Sequence, residues 1–327
     1  MTSALSAPRK ASYALVVLAL AAVPRFDLGP ALLAGLFAFM LLGLAEEALR
    51  GAGASSRAAR WSAAALFAVV GVLLAAIFVS FIEVGVSRLP LLLDRLLPRL
   101  DALAGRFGLD LPVENVAELR RLILKTVEDH GQSATSASSL LTRGFFQIVV
   151  AVAVAVLRFL SGPMSFGGED GLDAEFFREC GDRAALFSAS FERVMGAQML
   201  MAAVNAGLAA LFLFSLRIPF RTMLTLATFI CGMVPIVGNL ISNTLIVAAA
   251  LTRSDRDAMA ALIFLVVVHK GGYFLYGRIV GRRIQIPTWA ILLGLLVGEA
   301  VLGVTGAILA PALIYYVREE LRAIPAR

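Results

Sequence analysis

The sequence predicts an all-α integral membrane protein. About eight hydrophobic helical segments are expected, two of them broken hairpins forming an inverted repeat, plus an outer-side amphipathic helical segment. Three observations predict it. Hydrophobic residues make up 60% of the 327, against roughly 45–50% in soluble domains, and mean hydropathy is +0.87. Only 16% of residues are charged, too few to cover the surface of a soluble chain this long, so lipid must be part of the solvent. Apolar runs of spanning length also recur from one end of the chain to the other.

The first run, 11–24, follows Arg9-Lys10 and contains Ala19-Leu20-Ala21, which also fits a cleaved signal peptide. A second run at 30–46 follows at once and needs a partner, so a retained membrane helix turned at Pro24 and Pro30 is expected. The third run is 61–82. Segment 83–139 is too polar to span. Its Leu89, Leu93, Leu96, Leu100, Leu103 and Phe107 recur in three- and four-residue steps, with Arg88, Asp94, Arg95, Arg99 and Asp101 between them. A second amphipathic helix is expected at 113–130, with Val116, Leu119, Ile123 and Val127 on one face, Asp110 as N-cap and Gly131 as stop. Such helices can lie on the membrane, pack against sister subunits, or cap their own spans. A span at 140–160 precedes an acidic stretch, 161–183, which reads as a solvated cytoplasmic loop because the ligand ladder of a calcium loop is missing. The last runs are 194–216, 219–252, 257–276 and 288–317. The chain thus divides into N-terminal spans (1–82), amphipathic extramembrane helices (83–139), a fourth span with its acidic loop (140–193) and a transport core (194–327).

Two of these runs are too long for one crossing. As continuous helices, 219–252 and 288–317 would measure ~45–50 Å against a hydrocarbon layer of ~30 Å. Each carries a break, at 235–238 and at 303–306, and helical hairpins are the natural reading. The positive charges agree. With the N-terminus inside and each hairpin entering and leaving on one side, 16 Lys and Arg fall inside and 5 in short outside loops. The remaining 8 lie in 83–143, a segment too long for the rule. Both termini are then cytoplasmic.

The two hairpins share a layout. Ile218-Pro219 opens one and Ile286-Pro287 the other, and each proline stands 16 residues before its break, at Pro235 and Gly303. Each run follows one full span, and by the charge count they enter from opposite sides. This is the pattern of an inverted-topology repeat, whose broken helices meet near the midplane around a substrate site. Hairpin tips leave main-chain groups unpaired, which is tolerated only in protein-lined or watery surroundings.

Other classes find little support. The pI of 9.8 does not indicate nucleic acid, because the basic residues sit between apolar runs and no nucleic-acid motif occurs. Cys180 and Cys231 form no disulfide framework. His130 and His269 are too far apart for a metal site, and His130 before Gly131 suits a helix end. No cofactor motif, nucleophile elbow or phosphate loop appears, so an enzyme is not expected.

Gly196-Ala197-Gln198, then Asn205, Ile218-Pro219 and Val234-Pro235-Ile236-Val237-Gly238, followed by 277–283, Ile286-Pro287, Gly303-Val304-Thr305-Gly306 and Pro311, resemble the conserved run of the autoinducer-2 exporter (AI-2E) family. The resemblance covers 194–318 in motif and 11–160 in architecture. It implies a multispan transporter of the bacterial inner membrane, homo-oligomeric, in a family named for export of a quorum-sensing signal and with members linked to sodium–proton antiport. The chain departs from the pattern at Gly271-Gly272, where the family has Glu and Asn. It departs again at Gly298-Glu299, where the family has paired glycines. An acid has left one element and appeared in its neighbour.

Glu299 is therefore the sharpest site residue. An ionised carboxylate inside an apolar hairpin costs about 2.5–3.5 kcal/mol and calls for a cavity or a partner. Lys270 or His269, late in the preceding span, could couple to it during transport. Lys270 could equally snorkel to the surface while Glu299 packs as a neutral acid. Asn205, mid-span, lines the site or bridges helices. Pro235, Gly238 and Asn239, with Gly303, Thr305 and Gly306, form the tips and offer main-chain dipoles to a small polar solute or monovalent cation. Alternating-access export of such a solute is the expected function. Cation–proton antiport is the alternative, and a passive pore or scaffold the reading from another class.

Overall fold

The computed structural model describes residues 6–106, 121, 125, 138–162, 171–234, 237–279 and 287–323. The second amphipathic helix expected at 113–130, with His130, and the residues 280–286 of the family motif lie outside them. The described chain is helical, in nine elements: α1 (Ala7–Arg25), α2 (Gly29–Gly51), α3 (Ser56–Arg106), α4 (Ser138–Leu160), α5 (Leu172–Ser215), α6 (Arg221–Gly232), α7 (Val237–Leu251), α8 (Asp255–Ile279) and α9 (Thr288–Arg322). Among the described residues, helices in 29–51, 56–81, 143–160, 172–215 and 289–322 are long and apolar enough to cross a membrane. The protein is an all-α membrane protein.

Local sequence sets the helix ends. Proline in the first turn opens α1 and α2, where a missing N–H costs nothing. Ser55 accepts the Ala58 N–H at the start of α3. Asp173 and Glu175 occupy the first turn of α5, where carboxylates favour the helix dipole. That explains a difference from the sequence reading: the acidic stretch is helical from Leu172 onward, not a loop. α3 likewise runs through residue 82 without a break and holds Pro90 and Pro98 in its interior.

The chain forms two compact units. The first comprises residues 1–72, 142–196 and 284–327, and so holds α1, α2, α4 and α9 with the first parts of α3 and α5. Leu42, Ala63 and Phe159 form a core between α2, α3 and α4, and Phe37 meets Phe191 edge-on at 5.1 Å. A Cβ on Gly35 would stand 3.4 Å from the Ala151 carbonyl oxygen, the close backbone approach that small residues permit between membrane helices. The second unit comprises 73–141 and 197–283. Its core joins α5 to α8 through Leu213, Ile218, Leu224, Ile246, Ala250 and Ala261, and Phe212 stacks on Phe264 at 4.4 Å. The two broken runs fall in different units.

Both are helical hairpins. In the second unit α6 and α7 pack on one another across the break, with Leu224 and Ile246, nearly equidistant from it, in one core. A Cβ on Gly238 would overlap the Cys231 carbonyl. In the first unit, a straight α9 would hold residues 294 and 310 ~24 Å apart. Instead a Cβ on Gly294 would stand 3.7 Å from that of Ala310 and would meet Ile314. A Cβ on Gly298 would lie 2.5 Å from the Gly306 carbonyl oxygen, and one on Gly306 would collide with Gly298. The chain reverses at Gly303, whose φ of 60° and ψ of −145° are open to glycine and not to residues with a Cβ. Gly294-x-x-x-Gly298 on one arm thus faces Gly306-x-x-x-Ala310 on the other.

The hairpin contacts give a test. Gly298→Ala and Gly306→Ala should each destabilise the purified protein by about 1–3 kcal/mol through overpacking, read as an earlier thermal unfolding transition. Gly43→Ala, where nothing lies within 4 Å, should leave it unchanged or gain up to about 1 kcal/mol.

Candidate functional site

A helix that stops inside an apolar layer must find partners for its last carbonyls. At the end of α6, Met233 and Val234 donate their N–H groups to the Ile230 and Cys231 carbonyls at 3.2 and 2.9 Å, tightening the last turn. Gly238 N–H closes on the Val234 carbonyl at 3.2 Å. The Gly232 carbonyl takes a side-chain donor, Gln198 Nε2 on α5, at 2.7 Å. A Cβ on Gly232 would stand 3.0 Å from that of Ala202, one turn further along α5. Gln198 therefore fixes the depth of the first hairpin tip along α5. Gly238 is buried at this tip, and Asn239 is half-buried with its carbonyl accepting from Ser242. Asn205 is half-buried on α5. Pro235 lies outside the described residues.

The second tip is built differently. Thr305, half-buried, rests against the start of α2, its Cγ2 3.3 Å from where a Cβ on Gly29 would be. Gly306 is buried and Gly303 half-buried. Since Gly29 is the first residue of α2, this tip sits level with a helix end and not with the middle of a span. Beside the same hairpin is a cavity of about 290 Å³. Its walls are hydrocarbon, including Leu20 and Val23 of α1, Leu32 of α2, Phe187 of α5 and Val301 of α9.

Glu299 is exposed on the first arm of α9, between Leu296 at 67% exposure and Val301 at 54%. His269 and Lys270 lie in α8, but their side chains fall outside the described residues, so the expected coupling with Glu299 falls outside them too.

The far end of the first unit carries a charged cluster. Arg183 of α5 is buried at 3% exposure. Its Nη1 donates to Glu179 Oε2 at 2.6 Å, its Nε lies 3.6 Å from Glu320 of α9, and its guanidinium covers the Tyr13 ring at 4.0 Å. Tyr13 of α1 donates its hydroxyl to Glu320 at 2.6 Å. Arg9 lies 4.0 Å from Glu179, and Arg193 donates to the Tyr315 hydroxyl at 2.5 Å. A guanidinium this deep is tolerable only with such partners. The cluster brings the start of α1, the first part of α5 and the end of α9 together. In the second unit, Arg253 donates to the Leu216 carbonyl and pairs with Asp257 at 3.3 Å.

Sequence reasoning named Gln198 only as part of a motif and passed over Arg183. The small-x-x-x-small spacing at 294–298 and 306–310 was a readable sign of close helix packing. Two helical hairpins, apolar outer faces and charges gathered at helix ends define a multi-pass helical membrane protein. The family model for AI-2E family transporters matches residues 12–326, nearly the whole chain, and the chain belongs to that family. It is a membrane transporter. No curated protein matches the chain.

Removing the donor at the first tip should be felt. Gln198→Leu leaves a buried carbonyl unpaired and should cost about 1–3 kcal/mol in denaturant unfolding from mixed micelles. Arg183→Met removes the cation between Glu179 and Glu320, which keep Arg9 and the Tyr13 hydroxyl, and should cost about 1–3 kcal/mol in the same assay.

Proposed function

We propose that this transporter exports a small polar solute of the autoinducer-2 type by alternating access. The observation that carries the reading is the conversion of two apolar runs into helical hairpins, one broken between α6 and α7 and one at Gly303. Broken helices of this kind bring helix-end dipoles to one place, and transporters use them to hold solutes and ions. The proposed contacts are Gly238, Asn239 and Pro235 at the first tip, Gly303, Thr305 and Gly306 at the second, and Asn205 on α5. The protein resides in the inner membrane of a bacterium with both termini cytoplasmic, supported by the 16-to-5 bias of positive charge. It works as a homo-oligomer, as the family resemblance implies.

Glu299 favours a second reading, cation–proton antiport. An ionised carboxylate exposed among apolar neighbours is costly without a partner or a cavity, so Glu299 is the residue proposed to carry the exchanged ion. In this reading Lys270 or His269 supplies the alternating partner.

Flux in proteoliposomes under imposed solute, sodium and pH gradients separates the readings. Saturable, gradient-driven solute flux is the expected result. Sodium flux coupled to protons without solute selects antiport, and an ungated leak selects a passive pore. Glu299→Gln should abolish the pH dependence of flux, and an unchanged profile removes Glu299 from the mechanism.

A further inference from the structure

At one end of the first unit three helix termini meet: the end of α2, the start of α3 and the end of α4. Each brings arginine. Arg50 and Arg60 share one carboxylate, Glu46 Oε1, at 2.5 and 3.6 Å. Arg60 and Arg158 converge on Gly162. Arg158 Nη1 donates to the Gly162 carbonyl at 2.6 Å, and a Cβ on Gly162 would stand 2.8 Å from Arg60 Nη1. Gly162 has φ of 74°, so a glycine is what lets the chain turn beneath the guanidinium. Arg57, one turn from Arg60 on the same face of α3, is exposed and has no ion-pair partner among the described residues. Among the described residues, Arg50, Arg57, Arg60 and Arg158 thus gather at this end, with Glu46 shared between two of them. Arg60 Nε is buried without a hydrogen-bond acceptor among the described residues, 3.6 Å from Glu46, so the charge at this corner is only partly matched.

What lies beneath these charges narrows the ligand. Trp61 is 62% exposed and sits one turn deeper into α3 from Arg57. Val154 is 58% exposed and sits one turn deeper into α4 from Arg158. Leu157 and Leu66 continue the exposed apolar wall. Arg57 and Arg158 therefore stand directly over exposed hydrocarbon. A free phosphate would use the arginines and leave the wall untouched. An anionic phospholipid uses both, its phosphate on planar guanidinium donors and an acyl chain along Trp61 and Val154. Tryptophan at headgroup level suits this placement.

We propose that Arg57, Arg60 and Arg158 bind the phosphate of an anionic phospholipid at the α2–α3–α4 end, and that this lipid staples the three helices. The site requires only that the chain be embedded in a bilayer, and it stands or falls independently of what is transported.

The full-length protein, purified in a neutral detergent, is titrated with phosphatidylglycerol, phosphatidylcholine or soluble glycerol phosphate. Native mass spectrometry reads lipid retention and thermal unfolding reads stability. Phosphatidylglycerol should be retained in preference and should raise the unfolding temperature, with the preference weakening as salt rises. Arg57→Gln, at an exposed side chain that holds no partner among the described residues, should weaken retention about fivefold. Arg57→Gln, Arg60→Gln and Arg158→Gln together should weaken it on the order of a hundredfold. Equal retention of both lipids overturns the site. So does an undiminished preference in Arg57→Gln, and so does glycerol phosphate displacing the lipid at comparable concentration, which would mean a soluble-anion site.

Discussion

Main-chain hydrogen bonding governs this protein. In hydrocarbon, an N–H or C=O without a partner costs several kcal/mol, so a helix can stop inside the layer only where something replaces the missing turn. The two hairpins meet that demand in different ways. The first tightens its last turn onto Ile230 and Cys231 and borrows the Gln198 amide for Gly232. The second reverses at one glycine and presses its arms together, with Gly298 and Gly306 in backbone contact. Side chains at these glycines would force the arms apart and let lipid reach the tip.

The fold class was legible because hydropathy is a bulk property: 60% hydrophobic residues leave no soluble alternative. The hairpins were legible because length is physical. A run that overshoots the bilayer must bend, and Gly303 marks where. The reach of α5 was not legible from hydropathy, since its first turns are acidic and amphipathic. They become helical by burying Phe191 and Arg183 on one side. Site residues divide along the same line. Glu299 stands out in sequence because an acid among leucines and valines is conspicuous. Gln198 does not, because its partner is a carbonyl freed by a break 34 residues later, and every residue carries a carbonyl. Arg183 was invisible for a similar reason: Glu320, which it pairs with, and Tyr13, which it covers, come from opposite ends of the chain.

Arginine serves two purposes here that differ in energetic terms. Buried, as at Arg183, it needs carboxylates and a ring around it, and the ensemble ties α1, α5 and α9 into one body. Exposed, as at Arg57, it costs little and stays available to headgroups. A count of positive charges treats the two alike and so cannot tell a buried, paired guanidinium from an exposed one.

The second hairpin's contacts also constrain how it could move. Its arms touch through glycine backbones, so sliding one past the other would bring side chains into those contacts, and the pair must shift as a single piece. Against α2 it meets Gly29 through the Thr305 methyl, a contact that breaks without unpairing any polar group. On another side lies the cavity bounded by Leu20, Val23 and Phe187, where displacement meets hydrocarbon and no hydrogen bond. The hydrogen-bonded and charged contacts instead gather at the far end, on Glu320 and Tyr315. Among the described residues, the polar contacts that anchor this hairpin are therefore concentrated near residues 315–320, and those at its tip are apolar.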